Sequence, residues 1–186
     1  LAEESDPELR ELAEAEKVGL QQVHDGIAFF RKYLPGLANI ELVELARQIG
    51  VRQSRQIVGL HTLTGAEARA CTQFDDCIAQ CRYSIDIHEP GKDTTILIPF
   101  KPGTHYDIPW RCLVPKAGPP NLIVAGRSIS ADTEAMSSFR VSPSVMAIGE
   151  AAGVTAAIAS HTPCAIRDVD YHQVQDRLRE TGGVLV

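Results

Sequence analysis

The chain opens on a single apolar stripe. Leu9, Leu12, Leu20, Val23, Ile27, Phe30 and Leu34 recur at mostly three- and four-residue steps, which predicts an amphipathic helix over residues 7–34. Asp6 stands as its N-cap and Pro7 at its first helical position, and Leu34-Pro35-Gly36 ends it. Such a helix is about 40 Å long at 1.5 Å per residue, with Gly19 and Gly26 as local weak points. Leu42, Leu45, Ala46 and Ile49 repeat the helical spacing and predict a second helix over residues 40–49, stopped by Gly50. The period then changes. Residues 51–63 read as a strand carrying Arg52 and Arg55, Thr64-Gly65-Ala66-Glu67 fits a capping box that opens a short helix, and another short helix is expected over 75–80. Tyr83, Ile85 and Ile87 alternate with Ser84, Asp86 and His88, the pattern of a half-buried strand over 82–88. A turn at residues 89–93 leads into a hairpin partner over 94–100. Residues 104–114 read as extended, and Pro109 confines that run to an edge or a bend.

The last third repeats the alternation of strand and helix. Residues 122–125 are apolar without alternation, as in a strand covered on both faces. A polar loop bracketed by Arg127 and Arg140 follows. Ser142-Pro143 then signals the start of a helix over 143–160 built from Ala147, Gly149, Ala151, Ala152, Gly153, Ala156 and Ala157. So many small residues suit either tight packing on a sheet or close approach to a flat ligand. A final helix over 170–181 turns Tyr171, Val174 and Leu178 inward and stops at Gly182-Gly183. The whole predicts an α+β fold: N-terminal helices, a mostly antiparallel sheet, and a C-terminal strand–helix pair. That pair sets a helix N-terminus beside the C-terminal end of a strand, a place where open α/β sheets bind ligands.

Composition narrows the function classes. At 186 residues and 44% hydrophobic, the chain can bury a core. No apolar run approaches the roughly 18 residues that would suggest a membrane span. The acidic start LAEESDPELRELAEAE is neither a secretory signal nor a transit peptide. A net charge of -6 without a basic stripe or aromatic-and-basic interleaving argues against a nucleic-acid partner. The five cysteines (Cys71, Cys77, Cys81, Cys112, Cys164) are odd in number, which points to free thiols in a reducing, cytoplasmic setting. Cys77 and Cys81 lie four apart with Cys71 and His88 nearby, but without a CxxC pair no metal site is expected.

Candidate chemistry sits in two places. Arg127 and Arg140 at the ends of one loop, with Ser142 and Ser144 at the helix start, suit an anionic group or an electron-rich carbonyl. Asp86 and His88, two apart, share a strand face and could move a proton, or simply form its solvated side. Arg111 beside Trp110 could bind a substrate carboxylate or stack on the ring. Arg55 is a further substrate-side candidate.

NLIVAGRSIS followed by SSFRVSPSVMAIGEAAGVTAAIA resembles the C-terminal flavin-domain segment of the FAD-dependent oxidoreductase family that includes fumarate-reductase-like and xanthan-lyase-type flavoproteins. RQSRQIVGLHTLT, FDDCIAQCRYSIDIHEPG and YDIPWRCLVPK resemble substrate-domain segments of a bacterial branch of that family, in the same order, so the likeness covers roughly residues 50–160. It implies an FAD domain with a Rossmann-like fold and an inserted substrate domain of sheet plus helices. On that reading, residues 1–50 are a helical part of the substrate or cap domain, 51–116 its β-rich part, 117–162 the C-terminal segment of the FAD domain, and 163–186 a C-terminal helix. It sets Gly126 and Arg127 near the ribityl and pyrophosphate part of FAD. Arg140, Val141, Ser142, Ser144 and Val145 fall near the pyrimidine edge, and Asp86, His88 and Arg111 on the substrate side. Family members open with a strand, GxGxxG and a helix, and no GxGxxG occurs here. The chain is therefore expected to be the C-terminal part of a hydride-transferring enzyme, inactive and poor in FAD alone. Its partners would be a small-molecule substrate and the missing half of the FAD domain. Apolar surface at Leu122, Val124 and Ile148, left uncovered by that half, makes a homodimer a candidate assembly. A non-catalytic interaction module docking through helix 7–34 is the competing reading.

Overall fold

The computed structural model describes residues 7–88 and 94–185, and the chain divides into two compact units, Leu1–Val51 and Arg52–Val186. The Asp6 cap and the turn expected at 89–93 lie outside the described residues.

The first unit is dominated by helix α1, Pro7–Tyr33, with Arg31 and Lys32 in its last turn, where cations meet the negative end of the helix dipole. Gly36, at φ 85°, takes the turn that follows. The second helix expected over 40–49 does not form. The Arg31 guanidinium claims the Ile40 carbonyl with two bonds of 2.7 and 3.1 Å, so that acceptor does not start a helical ladder. The segment runs non-helically, and its apolar residues Leu45, Ala46 and Ile49 face Gly19, Leu20 and Val23 of α1 across a groove. Gly19 permits the approach: a Cβ there would lie 3.8 Å from Ile49 Cγ2.

The second unit is α+β with two small antiparallel sheets. Helix α2 (Gly65–Arg69) starts on the expected capping box. Thr64 Oγ1 accepts from Glu67 N, and Glu67 accepts from Thr64 N at 2.8 Å. Residues 75–80 are not helical; strand β1 spans Cys77–Cys81. The carbonyls that a helix would use internally are taken from outside. Gln175 Nε2 donates to Asp75 O (2.7 Å) and Cys77 O (3.0 Å), and Trp110 N donates to Asp76 O (2.7 Å). Strands β2 (Ile85–His88) and β3 (Thr95–Ile98) form the expected hairpin, with Asp86 opposite Leu97 and His88 opposite Thr95. Strand β4 (Tyr106–Pro109) is buried throughout and pairs with β1. Pro109 ends it, and the chain bends into a 3-10 turn at Trp110–Cys112.

The strand expected over 51–63 does not form: the stretch bends at 60 and 61 and meets its neighbours only through isolated bridges and single hydrogen bonds, without a full ladder. Gly59 bridges Pro115 antiparallel and Leu63 bridges Ala131 parallel. Gly59 is obligatory there, because a Cβ would come within 2.7 Å of Ser130 Cβ and 3.0 Å of two carbonyl oxygens. Residues 122–125 are not the buried strand expected. Leu122 is exposed, Val124 is half-buried, and the backbone is held by Val124 N donating to Leu113 O at 2.9 Å. No strand lies beside this run among the described residues.

The polar loop after it contains a helix the pattern did not announce. Helix α3 (Thr133–Phe139) is capped by Asp132, whose Oδ1 accepts from Ala135 N at 2.7 Å. Helix α4 (Ser142–His161) begins one residue earlier than expected, with Val141 rather than Ser142 at the N-cap and Pro143 in the first turn. Its Ile148, Ala151, Thr155 and Ala159 are buried, and Trp110 Nε1 donates to Thr155 Oγ1 at 3.1 Å. Ile148 is thus sealed in the core rather than exposed. By length and composition alone α4 is long and apolar enough to cross a membrane, a test that a helix packed on a core also passes. Its opposite face, with Met146, Gly149, Gly153 and Ala156, is exposed, and a Cβ at either glycine would meet nothing within 4 Å. Helix α5 (Tyr171–Glu180), capped by Asp170, buries Val174 and Leu178. All five cysteines are unpaired.

Candidate functional site

The hairpin and the end of α3 bring three of the sequence-designated residues together. Arg140 is the C-cap of α3, and its Nη2 donates to the Asp86 carbonyl of β2 at 2.9 Å. The same nitrogen lies 4.0 Å from the Asp86 carboxylate, and only 13% of the Arg140 side chain is exposed. His88 Nε2 stands 3.2 Å from Asp86 Oδ1. His88 Nδ1 stands 3.2 Å from the Thr95 hydroxyl across the hairpin. Sequence reading did not single out Thr95; its register opposite His88 follows from the hairpin once the strand ends are fixed.

Arg140 is held below the usual arginine range, chiefly by burial and next by the charge of Arg52; Asp86 partly offsets this and Arg127 adds to it. Arg127 lies in the 3-10 turn Gly126–Ser128, and its Nη1 donates to Arg52 O at 3.5 Å. Three guanidinium groups therefore share one neighbourhood. Arg52, noted only as a strand residue, belongs with the pair that bracketed the loop. Gly126, at φ 74°, sits over the first turn of α4: a Cβ on it would lie 3.7 Å from Val145 Cγ1. Val141 offers no capping side chain, so the first-turn N–H groups of α4 keep their positive end open. Ser142 is exposed there and Ser144 is buried.

Arg111 is elsewhere and otherwise engaged. Its Nε and Nη2 donate to Asp76 Oδ2 and Oδ1 at 2.9 and 3.0 Å, and its backbone N donates to Oδ2 at 3.0 Å. Asp76 is 2% exposed, and its hydrogen bonds raise the Arg111 guanidinium above its usual range. A second histidine–carboxylate pair, His61 Nε2 with Glu67 Oε1 at 3.1 Å, was not anticipated. Glu67 is also the capping-box residue of α2. The Cys77 and Cys112 thiols are both pushed up to about 12, mainly by burial, so neither supplies a thiolate near neutral pH. Arg55 is exposed. Among the described residues no group of His, Cys, Asp and Glu could hold a metal ion.

A mostly covered arginine, a turn and a helix N-terminus without a side-chain cap lie together here, an arrangement of positive potential that suits negative charge. A family model described as FAD dependent oxidoreductase matches residues 2–178, and the chain belongs to the FAD-dependent oxidoreductase family. No curated protein and no solved structure matches it. Family membership implies FAD as the cofactor of full-length relatives. The donor set present, the Arg140 guanidinium with the first-turn N–H groups of α4, is chemically compatible with an anionic or electron-rich part of such a cofactor. Nothing in the sequence supplies the GxGxxG turn that would hold the pyrophosphate.

Proposed function

We propose that this chain forms the substrate side and one wall of the flavin site in an enzyme that moves a hydride between an organic substrate and FAD. The observation that carries the reading is the convergence of Arg140, Asp86 and His88: a nearly buried cation holds the strand that bears a histidine–carboxylate pair. Arg140 and the first turn of α4 would hold the flavin pyrimidine edge, and Gly126 and Arg127 the adjoining ribityl part. FAD supplies hydride chemistry when bound. Asp86 and His88 take the proton that leaves the substrate. Arg111, fixed by Asp76, serves the fold of the 3-10 turn rather than the substrate.

The adenosine and pyrophosphate half of the site would come from a GxGxxG-bearing segment outside this chain. The chain alone would then bind FAD weakly and turn nothing over. Titration of purified protein with FAD, followed by flavin absorbance, tests this; near-stoichiometric binding with turnover would refute it.

A further inference from the structure

We propose that Thr95 is the third member of the Asp86–His88 pair, the hydroxyl through which the substrate's proton reaches the ring; this rests on the reading of that pair as the base. An ionised carboxylate only accepts hydrogen bonds. The Asp86 oxygens lie 3.2 and 3.3 Å from His88 Nε2, so Nε2 carries the ring proton. In the neutral ring Nδ1 is then bare and accepts from Thr95 Oγ1 at 3.2 Å. Both ring nitrogens are thereby occupied, and a substrate meets the ring by way of the hydroxyl.

The hairpin register produces this line. His88 and Thr95 are directly opposed on neighbouring strands, and Asp86 lies two residues back on the same face as His88. Thr95 is exposed and 43% of the His88 side chain is exposed, whereas Asp86 is more covered and its backbone is gripped by Arg140. Access to the line is therefore from its Thr95 end.

The transfer balances within these groups. The substrate's O–H or N–H bond breaks as that proton bonds to Thr95 Oγ1. The proton already on Oγ1 moves to His88 Nδ1. The imidazolium that results has Asp86 as its counter-ion, and its Nδ1–H donates to Oγ1 until the proton is lost to solvent. The substrate class that fits is an alcohol or amine with a hydrogen on the adjoining carbon.

The test is nitrogen NMR of the full chain labelled in its histidines, at a pH where the rings are neutral, with His88→Gln to assign the His88 signals. Wild type should show a protonated Nε2 and an Nδ1 shifted by an accepted hydrogen bond. Thr95→Val should move Nδ1 toward the value of an unbonded nitrogen, and Thr95→Ser should restore it. An Nδ1 signal that is the same in wild type and Thr95→Val overturns the relay. In flavin-loaded full-length enzyme, Thr95→Val should slow flavin reduction about 100-fold, as much as His88→Gln, with no further loss in the double variant. Additive losses would also overturn it. The two readings separate cleanly: a wild-type rate in His88→Gln counts against the pair as the base, whereas the NMR result involves no flavin.

Discussion

Arg111 grips Asp76 with two side-chain nitrogens and its own backbone N–H, all within 3.0 Å, while Asp76 is 2% exposed and 46% of the Arg111 side chain faces solvent. Removing the arginine strands a buried carboxylate. Arg111→Ala should therefore cost about 2–3 kcal/mol, below the range for fully buried pairs because half of the arginine is wet. Urea unfolding checks this. A substrate-binding arginine would instead leave stability intact and raise KM.

Arg140→Ala, in a flavin-loaded full-length version, should lower the flavin potential by about 30 mV, equivalent to about 1.4 kcal/mol for two electrons. The cation stabilises the more negative reduced flavin, so its loss favours the oxidised form. Spectroelectrochemistry reads the shift, and an unchanged potential removes Arg140 from the flavin site.

The buried thiols predict alkaline instability. Cys77 and Cys112 titrate at about 12 in the fold against an ordinary value of 9.0. Between those values the unfolded chain has lost protons that the folded chain retains, so stability falls as pH rises above about 9 and is untouched below it. The slope is about 1.4 kcal/mol per pH unit for each thiol. Denaturation midpoints from pH 8 to 11 should show it, and Cys112→Ala should make the slope shallower.

Two glycines should respond oppositely to alanine. Gly59→Ala drives a methyl into Ser130 Cβ and two carbonyl oxygens and should destabilise by about 1–3 kcal/mol. Gly149→Ala adds a methyl to open space on a helix and should stabilise this chain by about 1 kcal/mol. Thermal and urea midpoints measure both.

What the sequence made legible was local in origin. Helices α1, α4 and α5 carry their own stripes and first-turn signals, the Thr64–Glu67 box is self-contained, and the β2–β3 hairpin is short-range. The misreadings involve distant partners. Residues 75–80 are claimed by Gln175 and Trp110, 98 to 100 and 34 positions away in the case of Gln175 with Cys77 and Asp75, and of Trp110 with Asp76. Residues 40–49 have helical spacing, yet Arg31 takes the Ile40 carbonyl. Helix α3 was hidden by its serines, although Asp132 with Ala135, Met136 and Phe139 was a readable cap and face.

The candidate site divides in the same way. Asp86 and His88 could be paired from their spacing, and Arg127 with Arg140 from the loop they bracket. The joining of the two groups through the Asp86 carbonyl could not, because it spans 54 positions of sequence. Nor could the pairing of Arg111 with Asp76, since an aspartate 35 residues away announces no preference. Thr95 and Arg52 needed the hairpin register and the folded turn, respectively, before either acquired a role.

The hydrogen bond from Trp110 to Thr155 also has an optical consequence. Trp110 is the chain's single tryptophan, it is 3% exposed, and its indole nitrogen is tied to the middle of α4. Its emission colour therefore reports from one spot whether α4 is seated on the sheet. A blue-shifted signal marks the helix in place, and a red shift marks its departure, with no added label.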